Sequence, residues 1–109
     1  MGSYPNMEAM PATRRFRDAD QLPDGSRYEV IAWDVPASGE YPEGIKYGFQ
    51  YMTEDGRTLL RYDNYTDTHG SRHHRHHYEE GVDPLDFEDL DDLIEAFHEE
   101  VNTIHDERN

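Results

Sequence analysis

The sequence predicts an α+β domain in which an antiparallel four-stranded meander is packed by one long C-terminal α-helix. Three observations support this. Apolar and polar residues alternate with strand periodicity in the middle of the chain, Gly- and Asp-containing turns separate these segments, and the last quarter changes to helical spacing. A chain of 109 residues has room for one such domain. We assign residues 13–109 to it and interpret 1–12 as an expression-tag remnant or a disordered N-terminus.

Four segments predict the strands. Residues 28–35 are rich in β-branched and aromatic residues, and apolar residues on both of their faces favour a position near the sheet centre. In Ile45–Met52 the large apolar residues alternate with smaller or polar ones, as in a half-buried strand. A Glu-Asp-Gly turn at 54–56 predicts a hairpin to a return strand at 57–63. Residues 73–78 are expected to form the fourth strand.

The C-terminal segment predicts a helix of about 20 residues, starting soon after Asp86. Asp83 or Asp86 can cap it, and acidic residues in its first turns suit the positive end of the helix dipole. The outer face is filled by Asp and Glu. The apolar stripe expected to pack on the sheet comprises Leu90, Leu93, Ile94, Phe97, Val101 and Ile104.

Charge and composition exclude several classes of protein. The net charge is -15, and only Lys46 among the ten basic residues is a lysine. We interpret this as adaptation to molar salt in a halophile, the alternative being an acidic surface for a basic partner. The absence of cysteine excludes disulfides and thiolate catalysis. No apolar run approaches the ~18 residues of a membrane span, so we expect a cytoplasmic protein with no membrane partner.

The chemistry is expected in the segments 61–64 and 72–77, which are rich in His and Arg. On a strand His74 and His76 share one face, whereas His73, Arg75 and His77 share the other, so the two sets cannot serve one site. RNA cleavage without a metal needs a base, an acid and a cation, which imidazole and guanidinium groups provide near neutral pH. A neighbouring aspartate can orient an imidazole. The candidate catalytic residues are Arg61, Asp63, His74 and His76.

Other interpretations of these histidines stay open. Imidazoles at i and i+2 form a usable chelating pair, with His69 or Asp63 as a third ligand, although we assign no metal site or cofactor. The cluster can also be an exposed strand edge without a site. The basic stretch 14–17 is either a solvated arm or a phosphate-contacting one. The candidate nucleic-acid-binding residues are Arg14, Arg15, Arg17, Tyr62, Asn64, Arg72 and Arg75.

An Arg-Tyr-Asp-Asn run at 61–64, followed by the His-rich run 73–77 and an acidic helix, resembles the TumE-type proteins, small toxins of two-gene toxin–antitoxin systems. The resemblance covers about residues 28–104, although the loop 66–71 replaces the family's Pro-rich spacer. It implies a toxin acting on RNA or translation, neutralised by a cognate antitoxin that is often a helix-turn-helix protein. An endoribonuclease without metal is one activity compatible with it; a non-catalytic interaction protein or a His-rich metal-binding protein are the alternatives. By motif match, the resemblance points to Arg61, Asp63, Asn64, His74 and His76.

Overall fold

The structure is a computed structural model, and it describes residues 12–65 and 73–109. Six strands and one helix follow one another along the chain. Residues 1–11 of the predicted N-terminal segment 1–12 lie outside the described residues, as do the candidates His69 and Arg72. The elements are β1 (Thr13–Gln21), β2 (Arg27–Asp34), β3 (Ile45–Met52), β4 (Thr58–Asp63), β5 (His74–His77), β6 (Gly81–Pro84) and α1 (Leu90–Arg108).

The strands form a single antiparallel sheet in sequential order, β1-β2-β3-β4-β5-β6. The α+β class, the antiparallel meander and the C-terminal helix are therefore confirmed, but the expected number of four strands is wrong. The hairpin at 54–56 forms as predicted: Gly56 has a φ of 93°, and its N–H donates to the Thr53 carbonyl at 2.9 Å. Such a φ favours glycine, which explains why this turn was recognisable in the sequence.

The first unpredicted strand is β1, which contains the basic stretch interpreted as an arm. Its side chains are exposed almost throughout, so it has no apolar periodicity for a sequence pattern to reveal. Backbone pairing with β2 holds it at the sheet edge. Two cross-strand ion pairs add to this pairing, Arg15 with Asp34 and Arg17 with Glu29, both at 3.0 Å.

The second unpredicted strand is β6, four exposed residues at the opposite edge. Its short Gly-Val-Asp-Pro sequence pairs with β5 in full register, and Pro84 is compatible with an edge position because an edge strand leaves one side unpaired. Asp83, one of the two expected helix caps, belongs to this strand instead.

The helix starts later than expected, at Leu90, and its N-cap is Asp89 rather than Asp83 or Asp86. The Asp89 carboxylate accepts from the Asp92 N–H at 2.8 Å. The sequence offers aspartates at 83, 86 and 89, and only the last lies directly before the packed apolar stripe. The stripe itself is confirmed: Leu90, Leu93, Phe97, Val101 and Ile104 are buried, and Ile94 packs against them partly buried.

The core lies between α1 and one face of the sheet. Phe97 is fully buried and meets the rings of Phe49 and Tyr62 edge-on, at centroid distances of 5.5 and 5.2 Å. We call this side of the sheet the helix face and the opposite side the distal face. Cross-strand register places on the distal face Ile31, Trp33, Lys46, Gly48, Gln50, Arg61, Asp63, His74 and His76.

In the described part of the chain, no helix is both long and apolar enough to cross a membrane.

Candidate functional site

Two neighbouring strands bring the four candidate catalytic residues together on the distal face. β4 ends at Asp63, whose register partner on β5 is His74. Two residues away along the same strands, Arg61 pairs with His76. Because alternate residues of a strand share a face, all four side chains project to the same side of the sheet. We call this group the His/Asp cluster; it comprises Arg61, Asp63, His74 and His76.

Asp63 is the centre of the His/Asp cluster. Its Oδ2 atom lies 2.8 Å from Nε of Arg61 and 3.7 Å from Nε2 of His76. Its Oδ1 atom lies 3.3 Å from Nδ1 of His74 and accepts from the Tyr65 backbone N–H at 3.2 Å. One carboxylate therefore faces a guanidinium, two imidazoles and a backbone donor, which compensate for its burial.

Burial separates the cluster into an inner and an outer pair. Asp63 is 4% exposed and His74 is 1% exposed. The side chains of Arg61 and His76 retain 38% and 31% of their exposure. The His74 and His76 rings lie 6.0 Å apart between centroids, in an edge-to-face arrangement. A ligand from solvent can reach Arg61 and His76, whereas Asp63 and His74 lie beneath them.

The Asp63 carboxylate faces one nitrogen of each imidazole. A carboxylate oxygen accepts hydrogen bonds, and Nδ1 of His74 lies 3.3 Å from Oδ1 of Asp63, whereas Nε2 of His76, 3.7 Å from Oδ2, lies just beyond hydrogen-bond distance. A carboxylate beside an imidazole can orient the ring for proton transfer.

The same residues have the composition of a metal site. Ligand atoms of Asp63, His74 and His76 lie within 4.8 Å of one another. The carboxylate faces the two rings through different oxygens, Oδ1 at 3.3 Å from Nδ1 of His74 and Oδ2 at 3.7 Å from Nε2 of His76. The guanidinium of Arg61 on the same carboxylate opposes a further cation, so the cluster is compatible with a metal without requiring one.

Tyr65 covers the sheet beside the cluster. Its hydroxyl oxygen would lie 2.7 Å from a Cβ at Gly48, so only glycine at that position leaves room for the ring. Nζ of Lys46 and Cζ of Arg61 lie 5.0 and 5.4 Å from the ring centroid, within cation–π distance. Partial burial raises the pKa of Tyr65, an effect that the Arg61 charge opposes. Tyr65 thus connects the His/Asp cluster to Lys46.

Two of the candidate RNA-binding residues lie on the helix face instead. The Tyr62 hydroxyl donates to Glu100 of α1 at 2.6 Å, and the Arg75 guanidinium binds both oxygens of the same carboxylate. Burial and the Glu100 hydrogen bond raise the pKa of Tyr62, and its hydrogen bonds to Glu100 raise the pKa of Arg75 despite partial desolvation. In this arrangement both side chains join the helix to the sheet.

The predicted separation of the histidines into two sets is confirmed. His73 lies on the helix face, where its ring stacks on Phe87 at 4.8 Å between centroids. Its Nδ1 lies 3.0 Å from the Tyr47 hydroxyl and its Nε2 lies 3.2 Å from Oε2 of Glu43. Burial raises the pKa of Tyr47 far above its ordinary value, so its hydroxyl stays protonated.

The remaining candidate residues are dispersed. Asn64 is 1% exposed, and its amide accepts from the Tyr47 N–H and donates to the Ile45 carbonyl at 3.0 and 2.8 Å, so it fastens the chain after β4 to β3. Arg15 and Arg17 form the ion pairs described above. Arg14 lies exposed beside Trp33 on the neighbouring strand. Arg72 lies outside the described residues.

The candidates drawn from the sequence did not include Lys46 and Trp33 of the distal face or Glu100 of the helix face. Lys46 and Trp33 are register partners on the distal face, and each is the single residue of its type in the chain. Strand alternation could have placed Lys46 and Arg61 on one face, since both lie opposite the core positions of their strands. Glu100 carried no such signal, because it is one of many acidic residues in the tail.

The protein is thus a small α+β domain. Its core lies between the sheet and α1, and the His/Asp cluster lies on the other side of the sheet. The family model of the toxin TumE matches residues 7–105. The chain therefore belongs to the TumE toxin family, as the resemblance predicted, and membership of a toxin family implies a cognate antitoxin. None of the curated proteins matches the chain. None of the solved structures matches it either.

Proposed function

We propose that this toxin acts on RNA, which it cleaves at the His/Asp cluster without a metal. The observation that carries the proposal is that Asp63 lies 3.7 Å from Nε2 of a partly exposed His76 and 2.8 Å from Nε of a partly exposed Arg61. A base oriented by a buried carboxylate and a cation beside it are two of the groups that RNA cleavage requires. We therefore propose that the toxin acts in the cytoplasm, where RNA and ribosomes are found.

Each residue has a distinct role in the proposed reaction. Nδ1 of His76 takes the proton from a ribose 2′-hydroxyl, and the 2′-oxygen attacks the adjacent phosphorus. The bond from phosphorus to the 5′-oxygen breaks, and that oxygen takes a proton from solvent, which leaves a 2′,3′-cyclic phosphate and a 5′-hydroxyl. Arg61 neutralises the charge of the phosphorane. Asp63 and the buried His74 are positioning residues that hold the His76 ring and the Arg61 guanidinium.

The test is to map the ends of RNA incubated with the purified toxin. His76→Ala should reduce the formation of 2′,3′-cyclic phosphate by about 10²–10⁴-fold, the usual contribution of a general base. His77→Ala is the matched control, because His77 is the adjacent residue on the opposite face. Equal cleavage by the two variants, or intact RNA at saturating wild-type protein, contradicts the proposal, and the second result favours a non-catalytic toxin acting by binding alone.

A second candidate function is metal binding at Asp63, His74 and His76, favoured by the clustering of their ligand atoms. If this candidate is correct, a chelator abolishes RNA cleavage, and zinc added back restores it. Asp63→Asn should then lower zinc content after dialysis, measured by atomic emission. Cleavage that is unchanged in excess chelator excludes the metal and leaves the acid–base mechanism.

We also propose that the excess of carboxylates reflects life at high salt. The chain contains 25 acidic residues against ten basic ones, and their mutual repulsion is screened over about 3 Å at 1 M salt but over about 10 Å at 0.1 M. Dilute buffer should therefore lower the melting temperature. A melt by circular dichroism that does not move between 2 M and 0.1 M salt contradicts this assignment.

A further inference from the structure

We infer that the distal face binds RNA as a single strand, along a strip of cations and aromatic rings that leads to His76. The inference rests on the proposed function, because the strip ends at the groups assigned to the reaction. We call it the cation–aromatic strip. It comprises Arg14, Trp33, Lys46, Tyr65, Arg61 and His76.

The strip is continuous across the sheet. Arg14 on β1, Trp33 on β2 and Lys46 on β3 are successive register partners. Lys46 and Arg61 both lie within cation–π distance of the Tyr65 ring, at 5.0 and 5.4 Å. Arg61 in turn is the register partner of His76. Aromatic rings therefore alternate with cations from the edge of the sheet to the His/Asp cluster.

The charges of the strip suit a phosphate backbone. Among residues 12–65 and 73–109, no carboxylate forms an ion pair with Arg14 or Lys46, unlike their neighbours Arg15 and Arg17. Arg27, Arg57 and Arg108 likewise form no ion pair within the described ranges, but none of the three is a register partner of Trp33 or lies within cation–π distance of Tyr65. Most of the tail's acidic residues lie on α1, on the other side of the sheet, where they repel RNA. A polyanion is therefore attracted to this strip more than to the acidic surface of the helix.

The aromatic rings favour a single strand over a duplex. Trp33 and Tyr65 are both half-buried, so each retains part of its ring for contact. Bases can stack on such rings only when they are not already stacked and paired within a duplex. A duplex would contact only the cations. Bases would stack on Trp33 and Tyr65, and phosphates would contact Lys46 and Arg61. A phosphodiester linkage of the bound strand would then lie beside His76.

Trp33 provides a direct probe, because it is the only tryptophan in the chain. We would titrate the toxin with a 2′-O-methyl oligonucleotide, which lacks the attacking hydroxyl and cannot be cleaved. A single strand should change the Trp33 fluorescence to saturation, and a hairpin duplex of equal length should bind about ten-fold more weakly or worse. Equal affinity for the duplex overturns the inference, as does binding, detected by anisotropy of labelled RNA, that leaves Trp33 fluorescence unchanged.

Two matched pairs of variants locate the contact. Tyr65→Leu should weaken binding of the single strand about ten-fold, whereas Tyr65→Phe, which keeps the ring, should stay within about two-fold. Lys46→Gln should lower the slope of log K against log salt by about 0.7, the value for one phosphate contact with a single strand. Arg108→Gln removes an equal charge from α1 and should not change that slope. Equal effects within either pair overturn the inference, and the lysine pair decides it if Tyr65→Leu fails to fold.

Failure of this inference is distinguishable from failure of the proposed function. If Tyr65→Leu and Lys46→Gln bind and cleave ordinary RNA as the wild type does, while His76→Ala is inactive, the strip is wrong and the reaction stands. If the single strand binds along the strip but no cyclic phosphate forms, the strip stands and the proposed cleavage is wrong.

Discussion

The two faces of the sheet differ in what their side chains do. On the helix face, aromatic rings and aliphatic residues pack against α1, and the polar groups there, such as Tyr62 and Arg75, are paired with Glu100. On the distal face, Asp63 lies beside Arg61 and His76, whose side chains are partly exposed to solvent. Strand alternation alone separates the two, since neighbouring residues of β4 serve opposite faces. Substitutions on the helix face should therefore change stability, and substitutions on the distal face should change activity.

The largest effect is expected from Phe97→Asp on the helix face. Phe97 is fully buried between Phe49 and Tyr62, so an unpaired carboxylate at this position should cost several kcal/mol and unfold the domain. The measurement is a circular dichroism melt. Glu95→Ala, on the exposed side of the same helix, should melt within a few degrees of the wild type. A folded Phe97→Asp protein would show that α1 does not pack as described.

Glu100→Gln tests the polar contact between helix and sheet. We expect a loss of about 1.5–3 kcal/mol, because Arg75 and Tyr62 lose a charged acceptor. Burial alone raises the pKa of Glu100, but the hydrogen bonds from Arg75 and Tyr62 outweigh it, and the net pKa is lowered. Its stabilisation is thus complete above the ordinary glutamate pKa of about 4.3 and is lost as the pH falls through the lowered value.

Denaturant melts of wild type and Glu100→Gln across acid pH measure this linkage. The difference in unfolding free energy between the two proteins should shrink as the pH falls. A difference that stays constant from neutral to strongly acid pH would mean that the Glu100 carboxylate is not preferentially ionised in the folded state.

Asp63→Asn on the distal face should reduce activity as well as stability. The amide is nearly isosteric, so we expect a stability loss of about 1–3 kcal/mol from the weakened hydrogen bonds. Toxicity on induction and RNA cleavage should fall by about 10²-fold or more, because His76 and Arg61 lose the charge that orients them. Asn64→Asp in the adjacent buried position is the contrasting variant: it should destabilise the fold, because the carboxylate cannot donate to the Ile45 carbonyl.

Gly48→Ala should produce the smallest change. A Cβ at this position would meet the Tyr65 hydroxyl oxygen at 2.7 Å, so the partly exposed ring has to move away. We expect the melt to change by about 1 kcal/mol or less, while the affinity for single-stranded RNA falls several-fold. Gly39→Ala, where the added Cβ has open space, is the control. Unchanged RNA affinity in Gly48→Ala would show that the position of the Tyr65 ring does not affect RNA binding.

Much of the fold could be predicted because burial leaves a periodic signal. Ile45–Met52 alternates buried and half-buried residues throughout its length, and α1 repeats buried residues at helical spacing. β1 and β6 left no such signal, since backbone pairing holds them at the edges while their side chains stay in solvent. The N-cap was misplaced because three aspartates satisfy the same local rule and only packing selects Asp89.

The site could be predicted in part for a similar reason. The two-residue periodicity of a strand correctly separated His74 and His76 from His73, Arg75 and His77. The pairing of β4 with β5 places Asp63 beside the first set. Tyr62 was a candidate for RNA contact, although strand alternation places it on the face opposite Arg61 and Asp63, where it contacts α1. The role of Asn64 depends on its approach to β3, a tertiary contact that no local pattern encodes.

The sequential order of the strands has a consequence for when the protein becomes toxic. Each strand pairs with its neighbours along the chain, so hairpins can form one after another as the polypeptide leaves the ribosome. The helix that covers the aromatic side of the sheet is synthesised last, and a lone sheet with one bare apolar side is not a stable fold. The toxin therefore cannot complete its fold until the nineteen-residue α1 has left the ribosome and docked on the sheet.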